Sequence, residues 1–90
     1  MRKDDSELSE LTNLGPTSRQ WLNAIGVYTK SDLVRLGSIH AYWLMKERGF
    51  NVTMNMVYAM EGAILSMRWD ELPGELKAEL QSAINAGRPK

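Results

Sequence analysis

Residues 11–37 read LTNLGPTSRQWLNAIGVYTKSDLVRLG, and they repeat one short pattern at a spacing of eleven residues. Gly15, Gly26 and Gly37 fall in register, and each follows an apolar residue. A glycine in this position is typical of a helix end, because glycine adopts the left-handed backbone there without the steric cost that a Cβ atom brings. The repeat therefore predicts short helices that are joined by tight turns.

Helical spacing of apolar residues continues on both sides of the repeat and predicts a compact all-α bundle of five to six short helices. Thr29 and Asp32 have the spacing of a capping box, and Ser38 is a natural N-cap for the helix after Gly37. Glycines 15, 26, 37, 49 and 87 all lie at predicted helix ends. The expected helices cover residues 6–12, 16–25, 30–36, 39–48, 53–69 and 74–86.

The fifth predicted helix, TMNMVYAMEGAILSMRW, is apolar on nearly every side, so we expect it to be the central and most buried helix. Its methionines are read as core residues, with an adaptable partner groove as the less favoured alternative. Glu61 is the exception within this helix. An unpaired carboxylate in a buried helix is costly, so Glu61 must be exposed or paired, and the candidate ion-pair partners are Arg35, Arg48 and Arg68.

Composition limits the class of protein. Ninety residues form a single domain, 1–90, in which residues 1–6 and 88–90 are expected to fray. The chain has no cysteine, which excludes disulfides and cysteine-ligated zinc, and it shows no signal peptide or membrane span, so we expect a cytoplasmic protein. The formal net charge is zero, although residues 11–49 carry five cations and two acids. This mild excess resembles ordinary solvated surface more than a nucleic-acid footprint.

No pattern in the sequence predicts catalysis. His40 is the single histidine, and nucleophile elbows, zinc-protease motifs and phosphate-binding Gly-Lys-Ser/Thr loops are missing. Glu61 beside Gly62 is at least as well explained by a surface carboxylate or a structural ion pair as by a general base. We therefore expect no enzyme activity, cofactor, metal or small-molecule substrate.

The glycine turns offer the one functional lead. If both turns share a surface, their backbone N–H groups and nearby cations can hold successive DNA phosphates without reading bases. The alternative is that glycine ends the helices and the hydroxyls cap them, which explains every residue except the recurrence of a cation at Arg19 and Lys30. The candidate residues for contact with DNA or a partner are Asn13, Gly15, Ser18, Arg19, Gly26, Thr29, Lys30 and Arg35.

A second hypothesis is a protein-interaction or self-association module without direct nucleic-acid binding. The fourth predicted helix contains more large apolar groups than one narrow face can bury. Its surplus apolar surface predicts an interface with a protein partner or a second copy of the chain. The candidate interface residues are Tyr42, Trp43 and Met45.

Three ordered blocks resemble the C-terminal domain of the TfoX/Sxy family of bacterial competence regulators. They are NLGP with the following Ser and Trp-Leu, IGV-x-T-x-x-DL-x-x-LG, and YA-x-EGA followed by W-x-ELP. The resemblance spans residues 11–80 and implies a small all-helical fold, with turns like those of helix-hairpin-helix proteins, and a link to DNA uptake and the control of its genes. The turns are also similar, more loosely, to the C-terminal domain of the RNA polymerase α subunit.

Full-length members of that family carry a separate N-terminal domain that these 90 residues do not include. The family also supplies no agreed binding residues that can be placed on this sequence. The resemblance therefore implies fold and regulatory context, while the candidate sites depend on the residues themselves.

Overall fold

A computed structural model describes residues 14–87 and confirms the all-α fold. The described region forms five α-helices, with a 3₁₀ turn at Trp69–Glu71 between the last two. The predicted helix over 6–12 and the fraying at both termini lie outside the described residues. The helices are α1 (Pro16–Ala24), α2 (Lys30–Leu36), α3 (Ser38–Glu47), α4 (Met54–Leu65) and α5 (Gly74–Asn85).

The core lies where α1 to α4 meet, and its largest fully buried side chains come from all four of these helices. Helix α4 is the central one as predicted, with five buried residues along its 12-residue length. Helix α1 buries only Leu22 completely, but Trp21 next to it stacks on Phe50, with ring centroids 5.2 Å apart and planes 7° apart. These largest fully buried side chains are Leu22, Leu33, Met45, Val57 and Met60.

Gly26 and Gly37 end helices in the backbone region that favours glycine, with φ angles of +89° and +86°. Gly15 differs, although it occupies the same place in the repeat. Its φ of −88° and ψ of −176° are extended, and it is the N-cap of α1. The prediction of a left-handed helix stop at Gly15 was therefore wrong. The reason is Pro16, because a residue before proline is held to extended backbone.

Ser38 was also predicted wrongly as an N-cap. Gly37 takes that position, and Ser38 is the first residue of α3. The Ser38 hydroxyl donates to Glu61 Oε1 of α4 at 2.8 Å, and Ser38 is only 3% exposed. Glu61 is thus paired, as required of a carboxylate on the central helix, but its partner within residues 14–87 is a serine rather than an arginine.

Candidate functional site

The turn at Gly26, between α1 and α2, uses its backbone N–H groups internally. The Gly26 amide donates to the Asn23 carbonyl at 3.1 Å, and the Val27 amide donates to the Leu22 carbonyl at 2.9 Å. The next two amides, of residues 28 and 29, both donate to the Asp32 carboxylate. Four successive amides of this turn therefore have protein acceptors.

The predicted capping box at Thr29 and Asp32 is confirmed. The Asp32 amide donates to Thr29 Oγ1 at 3.2 Å, while Asp32 Oδ2 accepts from the Tyr28 amide at 3.0 Å and the Thr29 amide at 3.3 Å. Asp32 Oδ1 accepts from Arg35 Nη2 at 2.6 Å. The hydrogen bond from the Tyr28 amide has the largest effect on the Asp32 carboxyl and holds its pKa below the ordinary value of 3.8. Burial, the second-largest effect, raises this pKa, while the Arg35 guanidinium and the Thr29 amide lower it.

Lys30, the first residue of α2, is directed away from this turn. Its Nζ donates to Ser66 Oγ at 2.5 Å, which links the start of α2 to the end of α4. Ser66 is the C-cap of α4 and has a left-handed backbone with φ of 60°. The lysine therefore has a position in the fold that needs no ligand to explain it.

The first of the two glycine turns, at Gly15 before α1, carries the remaining candidate residues. Asn13 lies outside the described residues, and Gly15 is exposed and gives α1 no side-chain cap. Ser18 and Arg19, in the first turn and a half of α1, are half-buried. The Arg19 amide donates to the Gly15 carbonyl at 3.0 Å. The first turn thus differs from the second in lacking a carboxylate among its described partners.

The structure brings Gly26 and Arg35 together at a shallow hollow of about 300 Å³. Asp32 also lines it, and the apolar part of its wall comes from Ile25, Val27 and Leu36. A second hollow, of about 320 Å³, shares Ile25 as a wall and is otherwise lined by Leu44, Glu47 and Arg48. Both hollows are open surface depressions between helix ends, at the lower limit of the volumes that ligand pockets have.

The predicted interface on α3 is largely consumed by the core. Met45 is fully buried and Tyr42 is 9% exposed. Trp43 is half-buried and meets Tyr42 edge to face, with ring centroids 5.0 Å apart. The apolar surplus of this helix is used inside the fold, so Trp43 is the one member of the trio with substantial exposed surface. Within residues 14–87 the large apolar residues that are exposed are Tyr28, Val34, Leu65 and Trp69.

Sequence reasoning treated Asp32 only as a helix cap and missed its effect on the candidate phosphate site. The Thr-x-x-Asp pattern could have revealed it, since a carboxylate that reaches back to the N-cap amides occupies the place where a phosphate would bind. Among residues 14–87 no cluster of three or more acids and histidines is arranged to hold a metal ion. None of the helices in the same region combines the length and apolar character that a bilayer crossing requires.

Two of three comparisons with known proteins find matches to this chain. A family model described as the TfoX C-terminal domain matches residues 4–84. A crystal structure of an uncharacterized protein from Listeria monocytogenes, in a triclinic form, is 32% identical with a TM-score of 0.82, covering 94% of this chain and 100% of that chain. A tetragonal structure of a protein of unknown function from the same organism is 35% identical with a TM-score of 0.82, covering 88% and 98%. No protein with a curated description matches significantly.

Proposed function

The chain belongs to the TfoX C-terminal domain family, and we propose that it is a non-enzymatic regulatory module with a competence-related role in the cytoplasm. Its target in this proposal is a protein of a DNA-bound transcription complex, contacted through the surface around the Gly26 turn. The observation that carries the choice of a protein target is the carboxylate of Asp32 at that turn.

A phosphate at the start of a helix needs free N–H groups and a positive local potential. At the Gly26 turn the amides of residues 28 and 29 already donate to Asp32, which also brings a negative charge. A phosphate could bind there only by displacing the carboxylate, at the loss of its amide bonds and of its 2.6 Å contact with Arg35. Direct phosphate binding at this turn is therefore disfavoured.

The cations near the repeat also favour a protein target over direct DNA binding. Arg35 is paired with Asp32, and Lys30 contacts Ser66, which leaves Arg19 as the cation of the three with no side-chain partner described in residues 14–87. Affinity for duplex DNA grows with the number of phosphates that cations neutralise. Of these three cations only Arg35 is paired with a carboxylate in the described part of the chain, so Arg19 and Lys30 keep their charge. Two cations on a protein of zero formal net charge supply little of this affinity.

The same surface has features of a protein interface. Apolar Ile25 and Leu36 line the hollow beside the Asp32–Arg35 pair. Tyr28, next in sequence to the lining residue Val27, is 61% exposed. Interfaces between proteins are enriched in tyrosine and arginine, and they combine apolar contact with a polar rim. The Gly26 turn offers this combination.

Two measurements test the proposal. In the first, purified protein is titrated with duplex DNA at low and moderate salt. We expect weak binding that is the same for wild type, for Arg19→Ala/Lys30→Ala, and for a control with equal charge removed elsewhere, Lys46→Ala/Arg48→Ala. Tight, salt-sensitive binding that only the first double variant abolishes would refute the protein target and favour DNA contact through Arg19 and Lys30.

The second measurement follows transcription of competence genes in cells that carry variants of the chain. Tyr28→Ser changes an exposed aromatic residue at the proposed surface, and Leu65→Ser changes an exposed apolar residue at the end of α4 as a matched control. We expect a loss of regulation in the first variant and little change in the second. Equal regulation by both variants and the wild type would place the working surface elsewhere.

A further inference from the structure

A lysine on α5 lies against two aromatic rings from different elements. The Nζ atom of Lys77 is 5.7 Å from the ring centroid of Tyr58 on α4 and 5.6 Å from that of Trp69. Trp69 is 44% exposed, while Tyr58 and Lys77 are half-buried. This arrangement lies on the α4–α5 side of the molecule and shares no residue with the Gly26 surface.

The backbone of Trp69 is held in place by the 3₁₀ turn that begins at this residue. The Arg68 amide donates to Glu71 Oε1 at 3.2 Å, which closes the 3₁₀ turn in the manner of a capping box. The Arg68 guanidinium donates to both carboxylate oxygens of Asp70, each at 3.2 Å. Leu72, immediately after the turn, is 5% exposed and anchors it to the fold. The backbone position of Trp69 therefore does not depend on Lys77.

Aromatic faces carry negative electrostatic potential and attract an ammonium group within about 6 Å of the ring centroid. Tyr58 and Trp69 both lie at this distance from the ammonium group of Lys77. Two rings around one cation form a small aromatic cage. Lys77 fills the cage from within the chain, as a tethered ligand. Its aliphatic stem and primary ammonium group indicate which chemical class the cage accepts.

We propose that Tyr58 and Trp69 form a binding site for an alkylammonium group, which Lys77 occupies as an internal ligand, and that the lysine side chain of a protein partner enters when Lys77 leaves. The tether gives Lys77 the advantage of a high effective concentration over any free lysine. The site is thus closed in the isolated domain and opens when Lys77 is withdrawn.

Three substitutions of Lys77 separate charge from packing. Lys77→Met keeps a long stem without the charge, and we expect its melting temperature to fall by about 4–8 °C. Lys77→Arg keeps a cation over the rings and should remain near the wild-type value. If the arginine and methionine variants melt at the same temperature, the ammonium contact contributes nothing and the proposal fails.

Lys77→Ala empties the cage and allows a test of binding. Butylammonium, which reproduces the lysine side chain, should raise the melting temperature of this variant at matched ionic strength. Neutral butanol should not, and the wild type should respond less because its cage is filled. A Trp69→Ala change in the Lys77→Ala background removes one ring and should abolish the response. Equal responses to butylammonium and butanol, or a response that survives the loss of Trp69, would overturn the proposal.

The source of the amine is tested with two capped tripeptides, Gly-Lys-Gly and Gly-norleucine-Gly, which differ in the ammonium group. The readout is the indole N–H resonance of Trp69 in the Lys77→Ala protein. If the lysine peptide shifts this resonance and the norleucine peptide does not, the result supports a lysine from a protein partner as the ligand. Perturbation by butylammonium but by neither peptide would restrict the site to free amines and refute the partner's lysine as its ligand. These readouts do not involve DNA or transcription, so they succeed or fail independently of the proposed function.

Discussion

Gly37→Ala places a methyl group on a backbone that only glycine adopts easily. Gly37 has φ of 86° and ψ of 152°, which lies close to the glycine-only region of backbone space. An added Cβ would meet nothing within 4 Å, so the main cost is backbone strain rather than a clash, with a smaller cost from a weaker N-cap of α3. Such strain costs about 1–3 kcal/mol, and reduced freedom of the unfolded chain offsets about 0.4–1 kcal/mol of it. We expect a net destabilisation of about 1–2 kcal/mol.

The control comes from the repeat itself. Gly15 is also open to an added Cβ, but its φ of −88° suits alanine. Gly15→Ala should therefore change the free energy of unfolding by no more than about 0.5 kcal/mol, since the weaker N-cap and the stiffer unfolded chain nearly cancel. Urea denaturation followed by circular dichroism measures both variants. Equal destabilisation by the two substitutions, or a larger effect at Gly15, would show that strain at Gly37 was misjudged.

Three further predictions concern stability. In urea denaturation, Leu22→Ala should lower the free energy of unfolding by about 2–5 kcal/mol and Leu65→Ala by less than about 1 kcal/mol. The reason is that the Leu22 side chain is fully buried, whereas that of Leu65 is 47% exposed. Similar losses in the two variants would contradict the assigned core. The bonds described above lower the folded-state pKa of Asp32, so its stabilising effect is complete above the unfolded value near 3.8 and is lost as pH falls through the lower folded pKa. In Asp32→Asn the free energy of unfolding should fall less as the pH is lowered through this range, which urea midpoints measured at several pH values would show. If the midpoints of the variant and the wild type fall equally with pH, the prediction is contradicted. Ser38→Ala should cost about 1–3 kcal/mol by removing the partner of the Glu61 carboxylate, and a smaller effect of the same change in a Glu61→Ala background would demonstrate the coupling.

Local patterns predicted much of the helical order. Helix α2 begins and ends where the sequence placed it, because a capping box at Thr29 and a glycine at 37 mark both ends within a few residues. The apolar run of residues 53–69 also predicted the central helix, but the structure ends this helix at Leu65, four residues earlier than predicted, because Ser66 takes a left-handed backbone. Signals of this kind act between chain neighbours, so the sequence displays them directly.

The errors came from competing or distant interactions. Gly15 matches the other turn glycines in sequence, but Pro16 sets its backbone and makes it a helix start. Serine is a common N-cap residue, but the hydroxyl of Ser38 contacts Glu61 of α4, a partner that no local pattern indicates. At the candidate site, spacing identified Thr29 and Asp32 correctly, but it could not show that Lys30 reaches Ser66 at the far end of another helix.

Helix α1 has a single buried residue, and this affects how easily the helix separates locally from the rest of the domain. Helix α1 starts at a glycine without a side-chain cap, buries Leu22 alone, and is otherwise anchored by the stacking of Trp21 on Phe50. Helix α4 has five buried residues. Free energies of local opening follow buried apolar contact, so the α1 amides should exchange with solvent deuterium through partial openings in which α4 stays protected. Because Arg19 lies on α1, such an opening would move this arginine relative to the Gly26 turn without unfolding the domain.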